Sequence, residues 1–474
     1  MSTCLETNHR DPVTMGSISL SQSEQLQAAL DEARALYTRK HCTSKTSHDE
    51  ACLYMPGGNT RTVLHTSPFP FTVASAHSCF LDTVDGHSYI DFLSEYTAGI
   101  YGHNHPIIRA AIEEALDGGW NYGAHSRIEQ DLAKAICTRF PTMDMIRFVN
   151  SGTEANMMAL ATALVVARDT PGKKKVLVFE KGYHGSTISG RIPSGKPGIN
   201  LPHDFVVAKY NDVQGTKNLV ASLPEDSLAA ILVEPMLGSG GCYAASHDFL
   251  STLHDLSTQH KALLIFDEVM TSRLSHHGLG SVYDITPDLM TLGKYLGGGM
   301  TFGAFGGREA IMSLYDPRKA QLEHPGTFNN NVFTMHAGVA GAKLLTRETL
   351  DALNERGDVM RSDIDNLLRV RGIYDGCTVP AAPVVDNAMH QAANTSRPPK
   401  MYIKGVGSLM CMHFAGPDRE VLQGLFWHHM LENGIYMAQR GFIALSIEIS
   451  QEHVHRFVGA IAEFATYWEG VLKW

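Results

Sequence analysis

Five short apolar runs alternate with helical segments between residues 146 and 292, and this alternation limits the folds that the chain can adopt. The runs are continuously apolar, which is typical of strands that are buried on both faces of a sheet. They are Ile146–Val149, Val176–Phe179, Ala230–Val233, Leu263–Phe266 and Leu289–Leu292. Helical patterns such as Asn156–Arg168 and Phe249–Gln259 lie between some of them. This order predicts a mostly parallel sheet that is covered by helices on both faces.

The composition narrows the class of protein. A chain of 474 residues is long enough for a large core and two domains, and 44% hydrophobic with 19% charged residues is ordinary for a globular enzyme. The formal net charge of -10 argues against a nucleic-acid partner. No apolar run could span a bilayer, and Met1 to Ser19 lacks the hydrophobic core of a signal peptide. The eight cysteines show no framework spacing, so we expect free thiols in a reducing compartment. Together with the lack of a spanning run and of a signal core, this predicts a cytoplasmic protein with no membrane partner.

Polar residues follow the predicted strands where the strands end, and ligands bind at the carboxyl ends of parallel strands. Asn150-Ser151-Gly152-Thr153-Glu154 follows the first strand and opens a helix. Its backbone N–H groups and hydroxyls suit a phosphate, although serine and threonine also cap helices without a ligand. Gly182-Tyr183-His184-Gly185 follows the second strand. Tyr183 is suited either to lying flat on a planar ring or to packing within its loop.

Carboxylates end the third and fourth strands. Glu234 is suited either to supporting an active site or to a solvated sheet edge. Asp267 follows four apolar residues, so we expect it to be partly buried and to need a partner. A protonated pyridine nitrogen would be such a partner, because the anion raises the pKa of that nitrogen. Glu268 is interpreted as a structural residue that bonds within its own domain.

Lys294 stands where the fifth strand gives way to a loop that contains Gly297, Gly298 and Gly299. A lysine amine there can form a Schiff base with an aldehyde cofactor, above all pyridoxal phosphate (PLP). A lone lysine is more often a solvated charge, so this interpretation depends on the upstream partners. Beyond Lys294, the polar loop from His324 to Asn331 carries Thr327, which predicts a second phosphate contact.

The remaining segments give expectations for individual elements. Arg61 lies in a turn-rich segment and is either a surface charge or a clamp for a carboxylate, which guanidinium binds through two parallel hydrogen bonds. The histidines of Gly102–Pro106 are too close together and lack further ligands, so no metal site is predicted. The other predicted elements are a helix over Leu20–Lys40, a hairpin over Phe80–Phe92, a helix over Ile107–Leu116, an exposed loop over 378–400, a strand over Ile403–His413 and a helix over Glu452–Trp474.

Four motifs, in this order, resemble the class III aminotransferases of PLP fold type I, in particular the branch of glutamate-1-semialdehyde aminomutase and the β-amino-acid aminotransferases. The motifs are Asn150 to Asn156, Asp267 to Thr271, Pro287 to Gly299 and His324 to Asn331. The resemblance runs from about Tyr54 to the C-terminus. It implies an α/β fold with a large domain, built on a mostly parallel seven-stranded sheet flanked by helices, and a small α+β domain from both chain ends.

The same resemblance implies domain boundaries and a role for each matching residue. Residues 1–95 would form an N-terminal arm and part of the small domain, 96–345 the large PLP-binding domain, and 346–474 the C-terminal small domain. Lys294 would hold PLP and shuttle the proton, and Asp267 would pair with the pyridinium nitrogen. Thr327 would reach the phosphate in the neighbouring subunit, which implies a homodimer with active sites at the interface. The other implied cofactor contacts are Ser151, Gly152, Thr153, Tyr183, His184, Glu234, Val269 and Met270.

The expected reaction is a ping-pong transfer of an amino group from an amino acid, such as a β-amino acid, glutamate or alanine, to a keto acid or aldehyde. The segment Pro56–Val63 resembles the β-amino-acid aminotransferases, which implies that Arg61 holds the substrate carboxylate. Arg440 is the candidate for a second carboxylate.

Two alternatives stay open. One is an aminomutase, which moves the amino group within one molecule. Against it, Met437–Ala444 lacks the acidic residue of the mutase-like pattern, and Gly299–Gly303 lacks its Leu-Pro pair. The other is a protein that binds PLP without catalysis. Against this alternative, the chain keeps Lys294, Asp267 and the phosphate loop together.

Overall fold

The computed structural model describes residues 21–186, 188, 201–373 and 399–473. Its strands are β1 (Val73–His77), β2 (Phe80–Thr83), β3 (Ser88–Asp91), β4 (Met145–Val149), β5 (Lys175–Phe179), β6 (Asp204–Ala208), β7 (Leu228–Val233), β8 (Met236–Leu237), β9 (Tyr243–Ala244), β10 (Leu263–Asp267), β11 (Leu289–Gly293), β12 (Gly303–Gly307), β13 (Met401–Val406), β14 (Leu409–Phe414), β15 (Ile435–Tyr436) and β16 (Phe442–Ala444). Its α-helices are α1 (Gln22–Lys40), α2 (Cys42–Ala51), α3 (Pro106–Gly118), α4 (Arg127–Arg139), α5 (Gly152–Val166), α6 (Val213–Ala221), α7 (His247–Gln259), α8 (Glu309–Met312), α9 (Val332–Leu344), α10 (Arg347–Val370), α11 (Arg419–Glu432), α12 (Gln451–Tyr467) and α13 (Glu469–Leu472).

A seven-stranded sheet in the order β4-β12-β11-β10-β7-β5-β6 forms the centre of the fold. Strand β12 runs antiparallel to both neighbours, and the other paired strands are parallel. All five predicted apolar strands belong to this sheet, each extended by one or two residues. The predicted mostly parallel, seven-stranded α/β fold is therefore confirmed.

Helices cover both faces of the sheet. Successive side chains along each strand point to opposite faces, so each strand contributes to the packing on both sides. Val178 and Ile265 pack with Leu160 of α5 on one face. Leu177 and Leu264 belong to a second cluster, with Leu253 of α7, on the other face. Both faces are thus removed from water, which explains why the strands are continuously apolar.

Both ends of the chain contribute to the smaller sheets. Strands β1, β2 and β3 pair with β15 from the C-terminal part, where Ile90 lies opposite Ile435. Helix α1, which confirms the helix predicted over Leu20–Lys40, packs against α11 with Leu26 and Leu30 buried. The hairpin predicted over Phe80–Phe92 is confirmed by the antiparallel pairing of β2 with β3. The predicted boundaries at 95/96 and 345/346 stay predictions.

The single strand predicted over Ile403–His413 is wrong. These residues form an antiparallel hairpin, in which β13 and β14 are joined through Gly407 with a φ of 52°. Hydrophobic residues continue on both sides of the turn, so periodicity gave no sign of the reversal.

Two other expectations lie outside the described residues: the N-terminal arm, and the loop over 378–400 except for its last two residues. Within the described ranges the six cysteines are free thiols. No helix in those same ranges is long and apolar enough to cross a bilayer.

Candidate active site

Eight of the residues predicted for the site lie just beyond the carboxyl ends of five central strands: Ser151, Gly152, Thr153, Tyr183, His184, Glu234, Asp267 and Lys294. The loops that carry them touch each other. A Cβ built on Gly293 would lie 3.4 Å from Cα of Gly152, and one built on Gly185 would lie 2.5 Å from Oγ1 of Thr153. The sheet edge therefore brings together residues that are more than 140 positions apart in the chain.

The residues predicted to bind a phosphate lie at the start of α5. Oγ of Ser151 caps the helix by accepting a hydrogen bond from the Glu154 backbone N–H at 3.1 Å. Position 152 requires glycine, because a Cβ there would lie 2.8 Å from Cγ1 of Val269. The backbone approaches Val269 closely, and the helix presents the positive end of its dipole at this edge of the sheet.

Asp267 is buried at the end of β10, at the centre of a network. Its Oδ2 lies 2.8 Å from Nδ1 of His184 and accepts a hydrogen bond from Nδ2 of Asn156 at 2.8 Å. Its Oδ1 accepts from the backbone N–H of Val269 at 3.0 Å. Burial lowers the pKa of His184, but the hydrogen bond and charge of Asp267 outweigh that effect and raise the pKa above its ordinary value. A carboxylate held in this way can face a cationic ring nitrogen.

Asn156 extends this network to the neighbouring strand. Its Oδ1 accepts a hydrogen bond from Oγ1 of Thr291 on β11 at 2.7 Å, and its Nδ2 also donates to the carbonyl of His184 at 3.2 Å. The sequence analysis assigned Asn156 no role, although it lies in the first motif. Asn156 lies one turn into a helix that starts at the strand ends, and this position could have indicated that its side chain contacts the site.

Glu234 is buried and holds two backbone segments. Its carboxylate accepts from the N–H of Tyr183 at 2.9 Å and from the N–H of Gly238 at 3.0 Å. Burial raises the pKa of Glu234 to about 7, although the charge of His184 opposes the shift. Glu234 is thus a support for the loop of Tyr183, whose own side chain is 41% exposed at the site.

Two neighbours of Asp267 differ in what they do. Met270 is buried against Gly238, where an added Cβ would collide with its Sδ. Glu268 accepts hydrogen bonds from Oγ1 of Thr271 at 2.5 Å and from the N–H of Gly280 at 2.6 Å. The contacts of Glu268 match the structural role that its position predicted.

Lys294 adopts a left-handed backbone conformation, with a φ of 55°, directly after β11. Such a conformation is uncommon for a residue other than glycine and is found at constrained functional positions. Burial and the charge of Arg61 lower the pKa of its amine to about 8, with a further contribution from Arg440 and despite Glu95 and Asp267. A larger fraction of this amine is therefore neutral near pH 7 than in an ordinary lysine.

These residues fit PLP. A helix N-terminus with a glycine suits its phosphate, the buried Asp267 suits its ring nitrogen, and the amine of the half-buried Lys294 suits its aldehyde. An aromatic side chain, Tyr183, stands at the same edge and suits a planar ring.

Arg61 and Arg440 both lie over the ring of Tyr96. The sequence analysis predicted neither a role for Tyr96 nor the proximity of the two arginines. The guanidinium carbons lie 5.7 Å and 5.3 Å from the centre of the Tyr96 ring. Arg61 forms an ion pair with Glu95, and Nη1 of Arg440 donates to Oγ of Ser239 at 2.8 Å. These contacts join segments that no local pattern connects.

Thr327 does not join the cluster within one chain. It is exposed on the loop after β12, and this loop is tied to the end of β4 by a 3.1 Å hydrogen bond from Asn150 Nδ2 to Asn329 Oδ1. The end of this loop therefore lies beside the start of α5, while Thr327 faces solvent in the single chain.

Known proteins resemble this chain over most of its length. Residues 63–372 match the family model of aminotransferase class III. A beta-phenylalanine transaminase of Variovorax paradoxus is 42% identical over 93% of this chain and 96% of its own length. A glutamate-1-semialdehyde 2,1-aminomutase of Methanosarcina acetivorans is 33% identical over 89% of this chain and 97% of its own length.

Solved structures show the same fold. A crystal structure of a beta-phenylalanine aminotransferase from Variovorax paradoxus superposes with a TM-score of 0.85 and 42% identity, covering 94% of this chain and 99% of the other. A transaminase with PLP bound superposes with a TM-score of 0.79 and 27% identity, covering 91% and 98%. With its fold, its sheet-edge site and its matched relatives, this chain belongs to the class III aminotransferases, which use PLP to move an amino group from a donor to a keto or aldehyde acceptor.

Proposed function

We propose that this aminotransferase takes β-amino acids as donors and a dicarboxylic 2-oxo acid, such as 2-oxoglutarate, as acceptor. The observation that carries the proposal is the pair of guanidinium groups, of Arg61 and Arg440, that share the ring of Tyr96 near Lys294. Both contribute to the lowered pKa of the Lys294 amine, so both act within electrostatic range of it. Two cations at one pocket suit the donor carboxylate and the second carboxylate of the acceptor.

Each protein residue has a definite task in this proposal. PLP, when bound, supplies the electron sink that makes the carbon–hydrogen bond of the substrate acidic. Lys294 takes that proton on its amine and returns it, which its lowered pKa favours. Asp267, held by Asn156, would pair with the ring nitrogen, and the first turn of α5 would hold the phosphate. Glu234 positions the loop from which Tyr183 would pack on the ring.

The proposal includes a homodimer with an active site at each interface. Trp120, Tyr122 and Phe328 are 52%, 47% and 58% exposed, and Tyr122 and Phe328 line one surface hollow together with Thr327. Exposed aromatic residues that share a hollow favour a contact surface. Thr327 would then reach the phosphate site of the partner. Sedimentation at micromolar protein should give a dimer, and a monomer that retains full activity would contradict this part.

A cytosolic location is also part of the proposal. It is supported by the free thiols of the described residues, which persist in a reducing compartment.

The test is product formation by the PLP-loaded enzyme with 3-amino-3-phenylpropanoate and 2-oxoglutarate. The expected result is one glutamate for each donor consumed, with parallel initial-velocity lines for the two substrates. Lys294→Ala, which keeps the pocket but removes the amine, should form no glutamate. If wild-type enzyme formed no glutamate with any β-amino acid, the proposed donor class would be wrong.

The aminomutase alternative has its own signature. An aminomutase would act on a vicinal amino-aldehyde or diamino compound and release no keto product. The absence of an acidic residue in Met437–Ala444 and of a Leu-Pro pair in Gly299–Gly303 supports intermolecular transfer.

A further inference from the structure

Arg61, the proposed carboxylate anchor, is already paired with a carboxylate from its own chain. Arg61 forms an ion pair with Glu95, and the two side chains are 45% and 53% exposed. Glu95 also acts on Lys294, since its charge opposes the lowering of the pKa of that amine. Glu95 thus stands where a substrate carboxylate would bind if Arg61 has its proposed function.

The backbone that carries Glu95 is unusual and fixed. Ser94, Glu95, Tyr96 and Thr97 have φ values of 46°, 49°, 52° and 85°, a run of four left-handed residues without a glycine. Such conformations are costly for residues with a side chain. The segment is held by the 2.9 Å hydrogen bonds from Ser94 Oγ to the carbonyl of Ala444 and from Tyr96 Oη to the carbonyl of Val63. The fold therefore maintains a strained backbone at this segment. The strained conformation places Glu95 beside Arg61 and the ring of Tyr96 against the Arg61 guanidinium.

We propose that Glu95 is an internal competitor for Arg61: it occupies the guanidinium in the free enzyme, and a substrate carboxylate must displace it. Glu95 thereby determines how strongly, and how selectively, carboxylate-bearing substrates bind. This proposal rests on the proposed function of Arg61.

The structure offers a place for the displaced side chain. Glu95 lines a cavity of about 470 Å³ on whose wall Asn59, Thr66 and His48 also lie. A carboxylate that leaves Arg61 would find space in this cavity.

The expected effect is modest because the pair is exposed. An exposed ion pair contributes only about 0.2–1 kcal/mol. Arg61 would therefore be paired with Glu95 for part of the time, which would weaken the binding of a ligand carboxylate by about two- to sixfold. Glu95→Gln should therefore bind carboxylates about two- to sixfold more tightly than wild type, with a stronger dependence on salt, because salt no longer weakens a competing internal ion pair at the same time.

The first readout does not need turnover. Binding of 3-phenylpropanoate, which has the carboxylate and no amine, is measured by calorimetry on the PLP-loaded wild type and on Glu95→Gln, Arg61→Gln and the double variant. Glu95→Gln should tighten binding, Arg61→Gln should weaken it, and the double variant should match Arg61→Gln. The matched control is Glu469→Gln, which breaks an ion pair with Lys473 of similar exposure, 43% on each side, in the last helix.

The second readout separates binding from chemistry. Glu95→Gln should lower KM for 3-amino-3-phenylpropanoate and leave KM for 1-phenylethylamine, which has no carboxylate, as in wild type. Any change in kcat that comes from the effect of Glu95 on the Lys294 amine should be shared by both substrates. Unchanged or weaker 3-phenylpropanoate binding in Glu95→Gln, or no binding to wild type, would overturn the proposal. If the carboxylate binds as expected but no β-amino acid is turned over, the proposed donor class fails and the competition by Glu95 stands.

Discussion

Replacing Asn156 with alanine tests whether the network around Asp267 holds the site together. Asn156 is buried and makes three hydrogen bonds: to Asp267 at 2.8 Å, to the carbonyl of His184 at 3.2 Å, and from Thr291 at 2.7 Å. The truncation removes one bond to a charged group and leaves the Thr291 hydroxyl buried without its acceptor. Those two losses are worth roughly 1.5–3 and 1–3 kcal/mol.

We therefore expect Asn156→Ala to lower the free energy of unfolding of the PLP-free protein by about 3–5 kcal/mol. Asp267 also loses a restraint, so PLP should bind less tightly, by about tenfold for each 1.4 kcal/mol that is lost from the orientation of the carboxylate. The two quantities are measured by urea unfolding at fixed protein concentration and by equilibrium dialysis of PLP.

The matched control is Asn218→Ala, an exposed asparagine on α6 whose amide accepts a single hydrogen bond, from Gln214. It should change stability by less than about 0.5 kcal/mol and leave PLP affinity unchanged. If Asn156→Ala behaved like this control in both measurements, the buried network would not support Asp267, and the reasoning from its hydrogen bonds would be refuted.

Three further predictions follow from the site. Gly152→Ala should weaken PLP binding, because the new Cβ would lie 2.8 Å from Val269, whereas Gly459→Ala, where a Cβ meets nothing within 4 Å, should not; equal PLP affinities in dialysis would contradict the close approach. Arg61→Gln should raise KM for β-amino acids by about 10- to 100-fold, the loss of a charged hydrogen bond, and an unchanged KM would remove Arg61 as the anchor. In PLP-free protein, the deprotonated fraction of Lys294, followed by acetylation with acetic anhydride and mass spectrometry, should rise with pH around a midpoint of about 8, below the ordinary 10.5; a midpoint near 10.5 would contradict its burial among cations.

The central sheet could be predicted because its signal is local. Strands such as Leu228–Val233 are buried on both faces, so every position is apolar and the run is visible without any partner. The positions of Lys294 and Asp267 followed from the same pattern, since they stand directly after such runs. Strand β12 was not predicted because its sequence, Gly-Ala-Phe-Gly-Gly, lacks an apolar run. Its glycines allow neighbouring backbone to pack closely against it, and a Cβ on Gly303 would collide with the carbonyl of Ser151.

The substrate side of the site could not be predicted because its contacts are long-range or depend on unusual backbone. Nothing in the sequence around Glu95 and Tyr96 indicates four successive positive φ angles, which the tertiary contacts of this segment maintain. The meeting of Arg61 with Arg440 likewise depends on the packing of both chain ends around the central sheet. Arg61 was open to two interpretations, and only the fold brings it close to Lys294.

The most direct test of the central claim is a half-reaction. The PLP-loaded enzyme is mixed rapidly with 3-amino-3-phenylpropanoate alone, and the visible absorbance of the cofactor and the released product are followed together. The account predicts loss of that absorbance, one keto product per active site, and recovery of the absorbance when 2-oxoglutarate is added. A loss of absorbance with a vicinal diamino acid alone and no released keto product would contradict intermolecular transfer, and no change with any amino acid would contradict catalysis.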